Sequence, residues 1–269
     1  MIHTIDRKPL PLWPGAIPFS LGSAEKDIPT ITPFVPPLWK MNRRAIVIFP
    51  GGGYGCLAPY EGEGYAEYFA KQGFFCFVVK YRLGREDGYH HPVQISDAAR
   101  AVRFVRSLAP DLGIRPECVG VMGSSAGGHL AASVATVPQL ARTGEGEGAV
   151  AALSSRPSFA VLCYPVITLE EPFTHKGSRE ALLGTQYSAE DKQHLSLEKS
   201  VTPETSPAFL FHKLGDTGVP IENSLLYAEA LRKNKVRFEL HIYERGEHGG
   251  GLDSGHPWVA ESIRWMNTF

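Results

Sequence analysis

Short apolar runs along this chain alternate with longer segments whose apolar residues recur every three or four positions. Residues 44–49, 74–81, 118–122, 159–164 and 208–212 are nearly continuous in Val, Ile, Phe, Leu and Ala, the pattern of strands buried on both faces. Residues 236–243 alternate instead, as a strand with one wetter face would. Between them lie helical patterns: one within 62–72, one at 92–108, one at 125–137, one at 221–234 and one at 257–266. In the second of these, Pro92 suits a first helical turn, and Val93, Ala98, Val102 and Val105 recur on one face. Strand following helix in this way predicts an α/β fold with a mostly parallel sheet sandwiched between helices.

Three segments stand outside the alternation. Residues 1–41 are proline-rich and are expected to wrap the surface, with a short strand within 29–34. Residues 138–157 contain Gly144-Glu145-Gly146-Glu147-Gly148, too glycine-rich for a stable helix, and are expected to form a mobile surface loop. Residues 168–205 are polar and helix-forming, and two readings stand: a partial lid over a site, or a solvated helical excursion. With 269 residues and 43% hydrophobic content, the chain suits one large domain with a full core. Its 27 basic and 28 acidic residues give a net charge of −1, which offers nothing to nucleic acid or an anionic membrane. The first residues lack the apolar core of a signal peptide and no run approaches transmembrane length, so a cytoplasmic location is expected.

The chemistry concentrates at Gly123-Ser124-Ser125-Ala126-Gly127, where an apolar run feeds a small-residue helix. A G-x-S-x-G in that setting is a sharp strand-to-helix turn presenting a serine at its apex. Such a turn strains the serine backbone, requires nearly bare neighbours, and points helix amides at developing negative charge. A second glycine cluster, Pro50-Gly51-Gly52-Gly53-Tyr54-Gly55, follows the strand at 44–49. Bare amides there can stabilise the oxyanion of an acyl-transfer intermediate. A phosphate loop is the rival reading, but no G-K-[ST] and no helix-opening G-x-G-x-x-G accompanies it.

A serine nucleophile needs a base, and the base an orienting acid. Of Asp191, Asp216 and Asp253, only Asp216 follows a strand and precedes a helix, on the rim where Ser125 would also lie. His212 and His241 fall inside strands and read as structural, and His194 sits in a polar helical stretch. His248, in the glycine-rich loop after the last strand, is the base candidate, with His256 in reserve. The chain order Ser125, Asp216, His248 is the order of an α/β-hydrolase.

With these residues in place, the chain resembles the α/β-hydrolases of the acetylxylan esterase-like group, which are related to hormone-sensitive-lipase-type esterases. The resemblance is carried by Pro50-Gly51-Gly52-Gly53-Tyr54, Lys80-Tyr81-Arg82, His91-Pro92 with Asp97-Ala98, Gly123 to Leu130, Asp216 with Val219-Pro220, and Gly246-Glu247-His248-Gly249. Pro50 departs from the histidine that opens the glycine motif of many lipolytic relatives, and proline there is similar to the carbohydrate- and feruloyl-esterase branch. The resemblance implies a serine ester hydrolase acting on acetylated xylo-oligosaccharides or related sugar esters, without metal or organic cofactor. It implies oxyanion donors at the amides of Gly52, Gly53 and Ala126, with the dominant pair left open. An aryl formamidase or a small aryl or feruloyl esterase would use the same residues, and an inactive scaffold that only binds is a further alternative.

Several residues carry two readings. Tyr54, Tyr60 and Trp258 neighbour the site loops, where aromatics suit stacking on a sugar; Trp258 reads equally as core. Arg82 and Asp97 are expected to pair across a strand and a helix, and His90, His91 and His129 to cap or pack. Cys76, Cys118 and Cys163 lie in or beside apolar runs as small hydrophobes. Cys56 lies past the glycine loop, where a buried role is expected over a pocket-lining one. No CxxC spacing suggests zinc. Oligomeric state is not readable from the chain.

Overall fold

A computed structural model describes residues 6–142 and 148–269. Eight strands form one sheet in the order β1-β2-β4-β3-β5-β6-β7-β8. They are β1 (Leu10–Pro11), β2 (Thr30–Phe34), β3 (Ala45–Phe49), β4 (Phe75–Lys80), β5 (Val119–Ser124), β6 (Ala160–Cys163), β7 (Ala208–Lys213) and β8 (Phe238–Tyr243). From β4 to β8 every neighbouring pair is parallel; β1 and β2 add antiparallel to the β4 edge.

The period of two along each buried strand assigns residues to opposite layers. In β3, Ala45, Val47 and Phe49 join one apolar cluster, whereas Ile46 and Ile48 join the other. The first layer is closed by α2 (Val93–Leu112), α3 (Ser125–Thr136) and α6 (Glu222–Lys233), through residues such as Val102, Leu130 and Leu231. The second is closed by α1 (Pro59–Lys71) and α7 (Trp258–Met266), through Tyr65, Phe69 and Trp265. Both faces of the sheet are therefore covered, which is why its strands read as continuous apolar runs rather than alternating ones.

The boundaries differ from expectation in particular places. Helix α2 runs on through Pro110 to Leu112 and stops at Gly113, a left-handed cap with φ 68°. Helix α1 begins at Pro59, where proline fills the first turn, earlier than its apolar spacing indicated. The N-terminal segment does more than wrap: β1 and β2 extend the sheet, and Leu12 and Trp13 enter the core. In 138–157, Pro138–Leu140 and Gly148–Ala152 are short 3-10 turns; the intervening 143–147, which hold most of the glycine-rich stretch, lie outside the described residues. Residues 168–205 carry α4 (Lys176–Leu183) and α5 (Ala189–His194). Among the described residues no helix is long and apolar enough to cross a membrane.

Arg82 and Asp97 pair as expected, with both side chains fully buried. Asp97 accepts from Arg82 Nε at 2.9 Å and Nη2 at 2.7 Å, from the Arg82 amide at 3.1 Å and from Trp13 Nε1 at 3.4 Å. Arg82 Nη1 donates onward to the Pro18 carbonyl. The pair thus fastens the end of β4, helix α2 and the N-terminal segment at one point. Removing one partner strands a buried charge, so Asp97→Ala should cost about 3–5 kcal/mol in urea unfolding. A loss below ~1 kcal/mol would show that the guanidinium finds other acceptors.

Candidate active site

Strand β5 ends at Ser124 and helix α3 begins at the next residue, so the chain reverses at Ser125 with φ 52°. A non-glycine residue there is strained, and the surroundings hold it by close packing. A Cβ on Gly127 would lie 2.1 Å from the Phe49 carbonyl oxygen and 2.5 Å from that of Pro50. The glycine motif therefore serves backbone-to-backbone approach between the serine turn and the loop after β3. Tyr81 Oη donates to the Pro50 carbonyl at 2.6 Å and fixes that loop from the other side.

Three chain-distant side chains meet in one hydrogen-bonded row. The Ser125 hydroxyl lies 2.9 Å from His248 Nε2, and His248 Nδ1 lies 2.7 Å from Asp216 Oδ2. Asp216 follows β7, His248 follows β8, and Ser125 follows β5, all at carboxyl ends of parallel strands. Asp216 Oδ1 accepts from the amides of Gly218 at 3.0 Å and Val219 at 2.8 Å. Burial pushes its carboxyl up, but hydrogen bonds from His212, His248 and Val219 outweigh that and hold it well below the usual carboxylate range. A carboxylate so fixed orients the imidazole with Nδ1–H donating to it and Nε2 facing the serine. The reserve candidate His256 is elsewhere: it stacks on Tyr243 and its Nε2 reaches the Arg245 carbonyl.

Among the described residues, no acceptor is assigned to the amides of Gly52, Gly53 or Ala126, whereas the Gly51 amide donates to Glu61 Oε2 at 2.9 Å. That contact sorts the glycine loop, turning one amide inward and leaving the expected ones bare. Gly52 has φ 126° and Gly53 φ 63°, left-handed conformations that suit residues without Cβ.

Glu61 is the residue that sequence reasoning missed. It is 3% exposed on α1, and its Oε1 accepts from Tyr164 Oη at 2.7 Å. Tyr164 Oη in turn accepts from the Gly251 amide at 3.2 Å, and the Tyr164 ring meets His248 edge-on at 5.1 Å. One buried carboxylate thus ties the glycine loop to the histidine loop. Burial raises its pKa, against the lowering effect of its bonds to Tyr164, Gly51 and Tyr60. In the sequence it is one more glutamate in a helix that also carries Glu63 and Glu67. Only its position on the buried side of α1 marks it.

The three aromatic candidates separate. Trp258 is fully buried, stacked on Phe211 at 4.4 Å with Nε1 donating to the Gly251 carbonyl, and so supports the histidine loop from beneath. Tyr54 is 1% exposed, and its hydroxyl meets His129 Nδ1 at 2.9 Å. Neither has surface left for a substrate, which overturns that expectation for both. Tyr60 is half exposed and flanks Gly249 and Gly251 in the histidine loop, so its ring keeps surface open to solvent. Burial, then the Glu61 charge, push its phenol up to about 12. Cys56 is exposed rather than buried, its thiol against the Gly52 carbonyl, while Cys76, Cys118 and Cys163 are buried as expected. Among the described residues no three His, Cys, Asp or Glu side chains gather to hold a metal ion. The start of α4 stands beside the glycine loop: a Cβ on Gly53 would lie 3.9 Å from His175 Cε1 and 3.5 Å from Arg85 Nη2.

The sheet order, the serine turn and the row of three side chains define an α/β-hydrolase. The chain belongs to the BD-FAE family, whose model matches residues 34–231. It is 36% identical over 210 residues to the endo-1,4-beta-xylanase B of Butyrivibrio fibrisolvens, covering 78% of this chain and 33% of that protein. It is 35% identical over 214 residues to the acetylxylan esterase of Xylanibacter ruminicola, covering 78% of this chain and 41% of that protein. This chain therefore spans well under half the length of those curated relatives. Among solved structures, the acetyl ester-xyloside bifunctional hydrolase of Caldicellulosiruptor lactoaceticus superposes with TM-score 0.87 at 39% identity, covering 97% of this chain and 96% of that one.

Two expectations follow from the buried polar groups. Glu61→Ala leaves the Gly51 amide and the Tyr164 hydroxyl without their acceptor, at about 1–3 kcal/mol each, whereas Glu61→Gln keeps one acceptor. Urea unfolding should rank wild type above Gln above Ala, and equal stability of all three would contradict the tie. His129 Nε2–H donates to the Leu195 carbonyl at 2.9 Å, and burial pushes this imidazole down to about 4. The unfolded chain takes up that proton near pH 6.5, so the neutral histidine's contribution is full above roughly 6.5 and is lost as pH falls toward 4, at most about 3 kcal/mol. Unfolding at about pH 7 and about pH 5 should show a smaller acid loss for His129→Gln than for wild type, and parallel losses would refute the assignment.

Proposed function

We propose that the protein is a serine ester hydrolase that removes acetyl groups from acetylated xylo-oligosaccharides or related sugar esters. The observation that carries the hydrolytic reading is the row Ser125 Oγ, His248 Nε2 at 2.9 Å, and Asp216 Oδ2 at 2.7 Å from His248 Nδ1. The sugar-ester reading is supported by the likeness to the acetylxylan esterase and the acetyl ester-xyloside hydrolase.

His248 takes the hydroxyl proton as Ser125 Oγ attacks the ester carbonyl, and Asp216 stabilises the imidazolium that forms. The amides of Gly52, Gly53 and Ala126 receive the oxyanion, each donor of this kind being worth roughly 2.7–4 kcal/mol. Collapse expels the alcohol, protonated by His248, and leaves acetyl on Ser125. Water, deprotonated by His248, then attacks the acyl-enzyme, and acetate leaves as Ser125 regains its proton.

Acetate release from an acetylated xylo-oligosaccharide is the direct test. Ser125→Ala should lower turnover by about 10⁴-fold or more without unfolding the protein, and His248→Ala comparably. His256→Ala should stay within about threefold of wild type, since its ring stacks outside the row. Near-normal turnover by the Ser125 variant would sink the hydrolytic reading. Failure to release acetate, with Ser125 still labelled by an organophosphonate, would remove only the sugar-ester part.

A further inference from the structure

Helix α4 and the loop after β4 close over the glycine loop at one point, and Arg85 stands there. The Gly84 amide donates to the Tyr54 carbonyl at 2.9 Å, and a Cβ on Gly84 would overlap the Ala181 carbonyl, so backbone from all three segments is in contact. Arg85 itself has φ 42°, a left-handed conformation that a residue with a Cβ holds only under constraint. Its stem lies across Gly55, where a Cβ would stand 2.5 Å from Cδ, and its guanidinium emerges between two further glycines. Nη2 lies 3.5 Å from where a Cβ on Gly53 would be and 3.2 Å from one on Gly177.

His175, at the start of α4, faces the same spot. Its Nδ1 accepts from the Ser178 amide at 3.2 Å, and an amide can only donate, so Nε2 carries the proton. That Nε2 lies 4.0 Å from the Gly177 Cβ position, and Cε1 lies 3.9 Å from the Gly53 one. Burial, then the charges of His248 and Arg85, push the imidazole below its ordinary value against the Asp216 charge, which leaves Nε2–H a neutral donor. Among the described residues, neither the Arg85 guanidinium nor the His175 Nε2–H is hydrogen-bonded to an acceptor.

The cleft they border holds about 360 Å³, room for a single sugar-sized group. His90 closes its far end, with the ring against Gly184 and Nδ1 donating to the Ala181 carbonyl at 2.9 Å. Glu180 is the acidic residue of the lining, and it pairs with the exposed Lys176 at 3.7 Å. Of the two acids that follow Arg85 in the chain, Asp87 pairs with Lys26 at 3.7 Å and Glu86 is exposed. The arginine thus reaches the cleft without a carboxylate of the protein's own. A planar carboxylate meets a guanidinium through two parallel hydrogen bonds, and it is acceptor-only where this lining offers donors.

We infer that Arg85, with His175 Nε2–H beside it, binds a carboxylate on the ester substrate, so that esters of acidic, uronate-bearing sugars are preferred over neutral ones. The inference rests on the sugar-ester reading above and adds to it a charged substituent and the residue that recognises it.

The test measures kcat/KM on para-nitrophenyl acetate and on two acetylated xylo-oligosaccharides, one neutral and one carrying a glucuronic acid, in wild type, Arg85→Gln and Arg85→Lys. Wild type should prefer the acidic oligosaccharide roughly fivefold or more in low salt, and the preference should shrink as salt is raised. Arg85→Gln should bring the ratio to about one while para-nitrophenyl acetate turnover stays within about threefold of wild type, and Arg85→Lys should restore part of the preference. Because each ratio compares two substrates on one preparation, partial unfolding does not mimic the effect. Equal wild-type rates on the two oligosaccharides, or a preference that Arg85→Gln keeps, overturns the inference. If neither oligosaccharide is deacetylated while para-nitrophenyl acetate is, the sugar-ester reading fails, and inhibition of that turnover by free glucuronate decides for the carboxylate site. Inhibition of wild type that Arg85→Gln relieves supports the site, and no inhibition overturns it.

Discussion

Strands β3 and β5 lie side by side and end at the same level, with Phe49 opposite Gly123. The loop after one and the turn after the other must therefore pass within backbone contact. Everything at the candidate site depends on that approach. It demands glycine at 127 against the Phe49 and Pro50 carbonyls, and glycine at 51 against Ser124 and the Glu61 carboxylate. Side chains larger than hydrogen are excluded at both positions, so the two segments meet backbone to backbone. The strained φ of 52° at Ser125 is sustained because the strand behind it is paired on both sides and fully buried.

The same crowding explains why a carboxylate is tolerated in the interior. Glu61 is desolvated, which is costly, but each of its oxygens accepts a hydrogen bond, from the Gly51 amide and the Tyr164 hydroxyl. An apolar residue there would leave both donors unsatisfied. The network continues through Tyr65, which reaches Tyr164 at 3.3 Å and Ser124 Oγ at 3.0 Å, and so touches β5 as well as the two loops. The segments around the serine are thus positioned from behind by side chains that never meet solvent.

Much of this was legible in the sequence where local chemistry and local pattern coincide. The strands from β3 to β7 announced themselves by apolar runs and β8 by alternation, and the candidates Ser125, Asp216 and His248 by their places at strand ends. The legible part stopped where a residue's role depends on what lies across the fold. Tyr54 and Trp258 are close in sequence to the site, but each ring turns into a cluster made by distant segments, His129 and Leu195 in one case and Phe211 in the other. Glu61 is invisible for the same reason, since nothing local distinguishes it from Glu63. Of the two N-terminal strands, β2 falls within the 29–34 expected to hold one, whereas the two-residue β1, half of it Pro11, carries too little pattern to be read.

Two carboxylates act on the histidine loop, Asp216 directly on His248 and Glu61 through Tyr164, and their surroundings drive them apart. Asp216 is held down in pKa by donors that converge on it, from His212, His248 and the Val219 amide; Glu61 is driven up by burial that its donors only partly offset. An acid that remains charged keeps its acceptor in place for His248 Nδ1. One whose charge is costly gains most from keeping its hydrogen-bond donors in place, which suits it to holding loops together. The division follows from solvation and donor geometry alone. It makes the loop opposite the serine the part of the site whose shape is most sensitive to losing a single buried acceptor.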